Sequence, residues 1–213
     1  MTDKENDIRW RKYFYPGTNI LINNLKIKNS ETLKEVEATM SFDRLLELQD
    51  NPIKGNLDKN HLREVHKYLF EDVYPFAGQY RIVNLIKKEG TFLHIDNSTD
   101  IDKYLDELFD EMNKLSMQCK SKHDLADLLS KLYTQLIYCH PFREGNGRSI
   151  REFVREYSII KSSELEIENV ELDWTKVDKK ELNENIAFAH LFPSNTAIIF
   201  EKALVPVDVN TKK

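Results

Sequence analysis

Apolar residues recur at helical spacing along most of the chain. Leu33, Val36, Met40, Leu45 and Leu48 predict one helix, broken at Asn51, Pro52 and Gly55. Leu62, Val65, His66 and Leu69 form a second stripe, with Asp58 as its N-cap. Ile101, Leu105, Leu108, Met112 and Leu115 form a third, opened by Thr99 with Asp102 in a capping box that uses Asp for Glu. The strongest helical signal runs from Asp124 to Cys139, where Leu125, Leu128, Leu129, Leu132 and Leu136 line one face. Pro141 ends it, because a residue before proline is pushed out of the helical region. A helix restarts near Ser149, with Ile150, Phe153, Val154 and Tyr157 inward, and Leu182, Ile186 and Ala189 mark a last one. Tyr80, Ile82 and Ile86 lie at even spacing, Lys88 to Gly90 reads as a turn, and Thr91 to Ile95 continues extended. The expected fold is all-α with one short β-hairpin, and the tail after Leu204 is expected to fray.

Composition narrows the function. The 213 residues are 40% hydrophobic and 31% charged, which fits an ordinary globular protein with a real core. The net charge of −5 argues against a general nucleic-acid binder. No apolar run approaches the ~20 residues that span a bilayer, so no membrane partner is expected. Met1 to Arg9 is polar, without the apolar segment of a signal peptide. Cys119 and Cys139 form neither a disulfide framework nor a zinc spacing. A reducing, cytoplasmic setting follows, with secretion by a route lacking a cleaved signal as the alternative.

Between the two strongest helices lies His140-Pro141-Phe142-Arg143-Glu144-Gly145-Asn146-Gly147-Arg148. A base, an acid, an amide, two glycines and two arginines open there onto a helix N-terminus, which attracts anions. Glycines allow close backbone approach to a phosphate. Arg148 and Arg151, read as one side of the helix's first turn, can grip phosphate oxygens with forked hydrogen bonds. Glu144 is a hard oxygen ligand suited to Mg²⁺, which binds one or two carboxylates plus substrate phosphates. His140 is the side chain best matched to proton transfer near neutral pH. Taken singly, each has an ordinary reading: a helix-ending histidine, a loop carboxylate, a solvated arginine face. Taken together, they describe a site for a magnesium-bound polyphosphate beside a base. His61, His66, His94, His123 and His190 read as structural or surface residues, and Cys139 as a small buried apolar one.

The loop resembles the Fic signature, His-Pro-Phe-x-(Asp/Glu)-Gly-Asn-(Gly/Lys)-Arg, at every constrained position, and Arg151 supplies its second arginine. Tyr15-Pro16-Gly17-Thr18-Asn19, the run His66 to Tyr74 with Phe76 to Gln79, and Leu172-Asp173-Trp174 resemble further family segments; the likeness is good from Trp10 to Ile160. It implies a Fic core with an N-terminal extension over 1–160, and a C-terminal helical extension and tail of the same domain over 161–213. It implies a protein adenylyltransferase with ATP as co-substrate and Mg²⁺ as cofactor. His140 would deprotonate a Ser, Thr or Tyr hydroxyl of a target protein. Glu144 would hold the metal, Asn146 an α-phosphate oxygen, the amides of Gly145 to Gly147 the phosphate, and Arg148 and Arg151 the outer phosphates. The target would dock on the hairpin, the family's flap. There Lys88 matches a lysine near the nucleotide, and Glu89 stands where the family has glycine; both count as nucleotide-binding candidates. Arg143, at the variable position of the motif, is included with them and expected to face solvent. The family's inhibitory Ser/Thr-x-x-x-Glu-Gly/Asn pattern is missed by Ser162 to Glu166, which Ile167 follows, and by Thr2 to Asn6. The resemblance therefore implies that a separate small antitoxin supplies the inhibitory glutamate. Other readings are transfer of UMP, phosphocholine or phosphate, removal of AMP, or a silent nucleotide-binding module.

Overall fold

The computed structural model describes residues 2–85, 100–187 and 193–207. Its helices are α1 (Asp3–Arg11), α2 (Ser30–Asp50), α3 (Lys59–Phe70), α4 (Ile101–Ser116), α5 (Lys122–Cys139), α6 (Asn146–Glu164), α7 (Lys179–Ala187) and α8 (Pro193–Ala203). Two short strands, β1 (Val170–Leu172) and β2 (Leu204–Pro206), complete it. Helices α5 and α6 pack together at the centre; α3 lies on α6, α4 and α8 on α5, and α2 on α3. One apolar cluster runs from Tyr13 to Leu204.

The local chemistry explains the ends of these elements. Asp58 caps α3 as expected, accepting from the Asn60 and His61 amides at 2.9 Å each. Asn29 does the same for α2, accepting from the Thr32 amide at 2.9 Å. Helix α5 begins earlier than Asp124, because Ser121 caps it by accepting the Asp124 amide at 3.1 Å. The central helix buries a broad face that includes Leu125, Leu129, Leu132 and Leu136, all fully covered.

Four expectations need correction or relocation. Helix α6 starts at Asn146, not near Ser149, since Gly145 in the left-handed region (φ 77°) serves as its N-cap. Helix α8 carries no clean stripe in sequence, yet Phe200 is buried between Tyr133 and Trp174, at ring separations of 5.6 and 5.7 Å. The tail does not fray at Leu204: Leu204–Pro206 pairs antiparallel with Val170–Leu172, Leu172 opposite Leu204. Most of the expected hairpin, and Thr99 with it, lies outside the described residues; α4 as described begins at Ile101, after Asp100. Among the described residues the one named sheet is this C-terminal pair.

Strand β1 is fastened to α6 by two buried hydroxyls. Ser158 Oγ accepts the Leu172 amide at 2.9 Å, and Ser162 Oγ accepts the Val170 amide at 3.1 Å. Removing the first leaves a buried N–H without its acceptor. Ser158→Ala is expected to lower unfolding stability by about 1–3 kcal/mol. Urea denaturation should show a lower midpoint at unchanged slope; an unmoved midpoint would mean the β1 attachment does not depend on this bond.

Candidate active site

The loop joins two helix ends with opposite needs. A helix leaves its last carbonyls and its first amides without partners inside the helix. At the end of α5, His140 adopts the left-handed conformation (φ 46°, ψ 60°), and its amide donates to the Leu136 carbonyl at 2.9 Å. That conformation is costly for a residue with a Cβ, so the surroundings must hold it. Arg81 does so. Its side chain is only 1% exposed, and its guanidinium donates to the carbonyls of His140 (2.9 Å), Cys139 (3.3 Å) and Val83 (2.6 Å). The Arg81 amide also donates to the Pro141 carbonyl at 2.8 Å. A cation at a helix C-terminus is favourable in its own right. Nothing in the sequence marked Arg81, which lies 59 residues from His140.

The middle of the loop is stapled from within and from α3. Asn146 is buried; its Oδ1 accepts from the Phe142 amide at 2.9 Å and its Nδ2 donates to the Phe142 carbonyl at 2.8 Å. In this structure the expected phosphate-binding amide is a brace for the loop. His66, read from sequence as structural, proves part of the site's frame. Its Nδ1 accepts from the Gly78 amide at 2.8 Å, so the proton sits on Nε2, which donates to the Glu144 carbonyl at 3.0 Å. The ring stacks on Phe142 with centroids 3.8 Å apart. Burial pushes the His66 pKa down to about 4, with the Arg148 charge adding to the effect and the Glu144 hydrogen bond opposing it. Gly145 is required where it stands. At φ 77° it turns the chain into α6, and a Cβ there would lie 2.4 Å from the Phe70 ring.

The charged members are distributed differently from the sequence reading. Glu144 has a side chain 44% exposed, and its Oε1 accepts from the Gly145 amide at 3.2 Å, which places the carboxylate at the start of α6. His140 and Arg151 are also partly exposed. Arg148 pairs with Glu37 of α2 and donates to Ser41 Oγ at 2.6 Å, with its Cζ 4.7 Å from the Phe70 ring. The Tyr74 hydroxyl donates to the same Glu37 carboxylate. Burial, followed by that bond, raises the Tyr74 pKa, so the phenol stays neutral and donates. Arg151 lies beyond the first turn of α6 and faces another way, beside Tyr133 and close to Gly147. No carboxylate of the described residues lies within ion-pair distance of it. Arg143 does not face solvent; its side chain is 11% exposed and sits among Trp10, Tyr13 and Phe14. Lys88 and Glu89 lie outside the described residues. A cavity of about 490 Å³ adjoins the loop, lined by Glu144, Arg148, Glu37, Tyr74 and Lys34 among others.

Comparison with known proteins agrees with this frame. The Fic/DOC family model matches residues 56–157. The probable protein adenylyltransferase y4lH of Sinorhizobium fredii is 35% identical over 137 residues, 63% of this chain and 68% of its own. The protein adenylyltransferase VbhT of Bartonella schoenbuchensis is 30% identical over 171 residues, 80% of this chain; the chain spans only 34% of VbhT's length. In fold, the Fic domain of a Bartonella quintana Bep effector with bound ADP superposes with a TM-score of 0.80 at 23% identity, covering 95% of this chain and 99% of that one. BepC of Bartonella tribocorum with bound AMPPNP gives 0.76 at 21% identity, covering 93% and 98%. The chain belongs to the Fic/DOC family.

Two predictions follow from the frame. Gly145→Ala must both adopt a left-handed backbone and displace Phe70, so it should destabilise the fold, read by thermal unfolding; a wild-type midpoint would contradict the packing described. His66 sets a pH dependence. Its folded pKa, about 4, lies below its ordinary value of 6.5. Between those values the unfolded chain binds more protons, so stability rises with pH there and is lost as pH falls from about 6.5 towards 4. In nucleotide-free protein, His66→Asn should flatten that part of the stability–pH curve; an equal slope in both proteins would rule His66 out as its source.

Proposed function

We propose that this protein transfers AMP from ATP to a hydroxyl of a target protein. The observation that carries the reading is the division of labour in the loop. Phe142, Arg143, Asn146 and Arg148 hold its shape through contacts within the loop and with α1, α2 and the residues after α1, and the partly exposed His140, Glu144 and Arg151 lie at the end of α5, in the loop and in α6. A rigid loop with a base, an acid and an arginine at an amide-rich helix terminus suits phosphoryl chemistry, which depends mostly on positioning and charge neutralisation.

His140 takes the proton from the target hydroxyl. The hydroxyl oxygen then bonds to the α-phosphorus as the bond from that phosphorus to the bridging oxygen breaks, and pyrophosphate leaves. The first-turn amides of α6 hold phosphate oxygens, and Arg151, which has no carboxylate partner among the described residues, neutralises the outer phosphates. Arg148 contributes charge already shared with Glu37. The residues present suit Mg²⁺: Glu144 places a half-exposed carboxylate at the start of α6, and a single carboxylate together with substrate phosphates is a donor set this ion accepts. Glu144 would hold it, and the bound ion would neutralise charge on the leaving phosphates. A target protein would dock through the flap segment near Lys88 and Glu89, and a small antitoxin is the proposed source of an inhibitory glutamate.

Incubation with α-labelled and, separately, γ-labelled ATP in lysate tests the reaction. Label on protein from the α-position alone is expected; label from γ alone would indicate phosphate transfer instead. His140→Ala should abolish labelling while sparing ATP binding, whereas Arg151→Ala should raise the KM for ATP. A His140→Ala protein that labels targets at the wild-type rate would overturn the mechanism.

A further inference from the structure

The guanidinium of Arg143 stands in an unusual place. It is covalently next to Glu144, yet its Nη1 lies 3.9 Å from Glu144 Oε2. A hydrogen-bonded ion pair closes to about 2.7–2.9 Å. The guanidinium is thus at the outer limit of ion-pair distance, and it sits in a cage of aromatic rings, with the Arg143 Cζ 4.3 Å from the Trp10 ring centroid, 5.3 Å from Phe14 and 5.5 Å from Tyr13. An arginine over such faces is attracted by their negative π-surfaces, most strongly to Trp.

The cage is itself anchored. Trp10 lies in the last turn of the N-terminal helix α1, whose Asn6 forms a reciprocal pair with the backbone of Asn84: the Asn84 amide donates to Asn6 Oδ1 at 2.7 Å, and Asn6 Nδ2 donates to the Asn84 carbonyl at 3.2 Å. The Tyr13 hydroxyl accepts the Ile82 amide at 3.1 Å. Residues 82–84 follow Arg81, which caps α5. The rings are thus referenced to the same frame that shapes the loop.

We propose that Trp10, Tyr13 and Phe14 are positioning residues for the metal site, holding Arg143 off Glu144 so that the carboxylate is available to a divalent cation. This rests on the proposed role of Glu144 and adds residues that the Fic signature does not contain. Loosened from the cage, Arg143 would close on Glu144 and compete with the cation for the same oxygens. The cage therefore tunes the cation concentration at which nucleotide binds.

Calorimetric titration of ATP at a series of Mg²⁺ concentrations tests this without relying on turnover. Trp10→Leu keeps apolar bulk but removes the π-face. It is expected to raise the Mg²⁺ needed for half-maximal ATP affinity by about three- to tenfold, the weight of one partly desolvated cation–π contact. Arg143→Gln removes the competitor and should lower the requirement. In the Arg143→Gln background, Trp10→Leu should have no further effect on it. Circular dichroism checks that each variant is folded, and Trp10→Phe, which retains a π-face, should restore most of the wild-type response if Trp10→Leu is poorly folded. A folded Trp10→Leu protein with the wild-type Mg²⁺ dependence overturns the inference, as does a Trp10→Leu effect that persists without Arg143. If wild-type protein binds ATP equally with and without Mg²⁺, the metal role of Glu144 falls and this inference falls with it.

Discussion

The site depends on how the opposed ends of two helices are satisfied. Helix α5 finishes with carbonyls that need donors, and α6 opens with amides that need acceptors. Arg81 answers the first need, bonding to the Cys139 and His140 carbonyls through its guanidinium and to Pro141 through its amide. The second is answered in part by Glu144, whose carboxylate accepts from the Gly145 amide, and otherwise suits an anion. The two ends therefore differ: the carbonyl end is already met by a buried cation, and the amide end is the one suited to negative charge.

Around that constraint, each layer of the fold contributes one contact. Helix α3 supplies His66, which fixes the Glu144 carbonyl and stacks on Phe142. Helix α2 supplies Glu37 and Ser41, which hold Arg148. Helix α1 and the residues after it supply the rings around Arg143. A half-buried ion pair such as Arg148–Glu37 is weak evidence for stability, because desolvation offsets part of its attraction. Its clearer consequence is geometric: it directs Arg148 towards α2, while Arg151 has no carboxylate of the described residues within ion-pair distance. Rigid supports of this kind let a nine-residue loop hold its reactive groups in place.

Much of the helical core was legible in sequence, for definite reasons. The stripes of α3, α4 and α5 are clean because each helix buries one broad face, and Asp58 could be named as a cap because its side chain acts on amides two and three residues away. Helix α8 was missed because its stripe of Ala197, Phe200 and Ala203 is short, built largely of small residues and blurred by the exposed Ile198; the fit of Phe200 between Tyr133 and Trp174 is tertiary. The same holds for β2, whose Leu204 pairs opposite Leu172, 32 residues earlier in the chain.

The candidate site divides in the same way. Its residues were readable because they are consecutive: a base, an acid, two glycines and two arginines in one short run, next to a proline that ends a helix. Chemistry carried on adjacent residues is a property of sequence. The work of each residue was decided by tertiary structure, because it depends on partners brought from far along the chain. Asn146 turned inward to brace Phe142, Arg148 was taken by Glu37, Arg143 was drawn among Trp10, Tyr13 and Phe14, and Arg81 and His66 joined the site unannounced. Local order names the groups that a loop carries; only packing determines which of them are occupied with holding it and which are left to face a ligand.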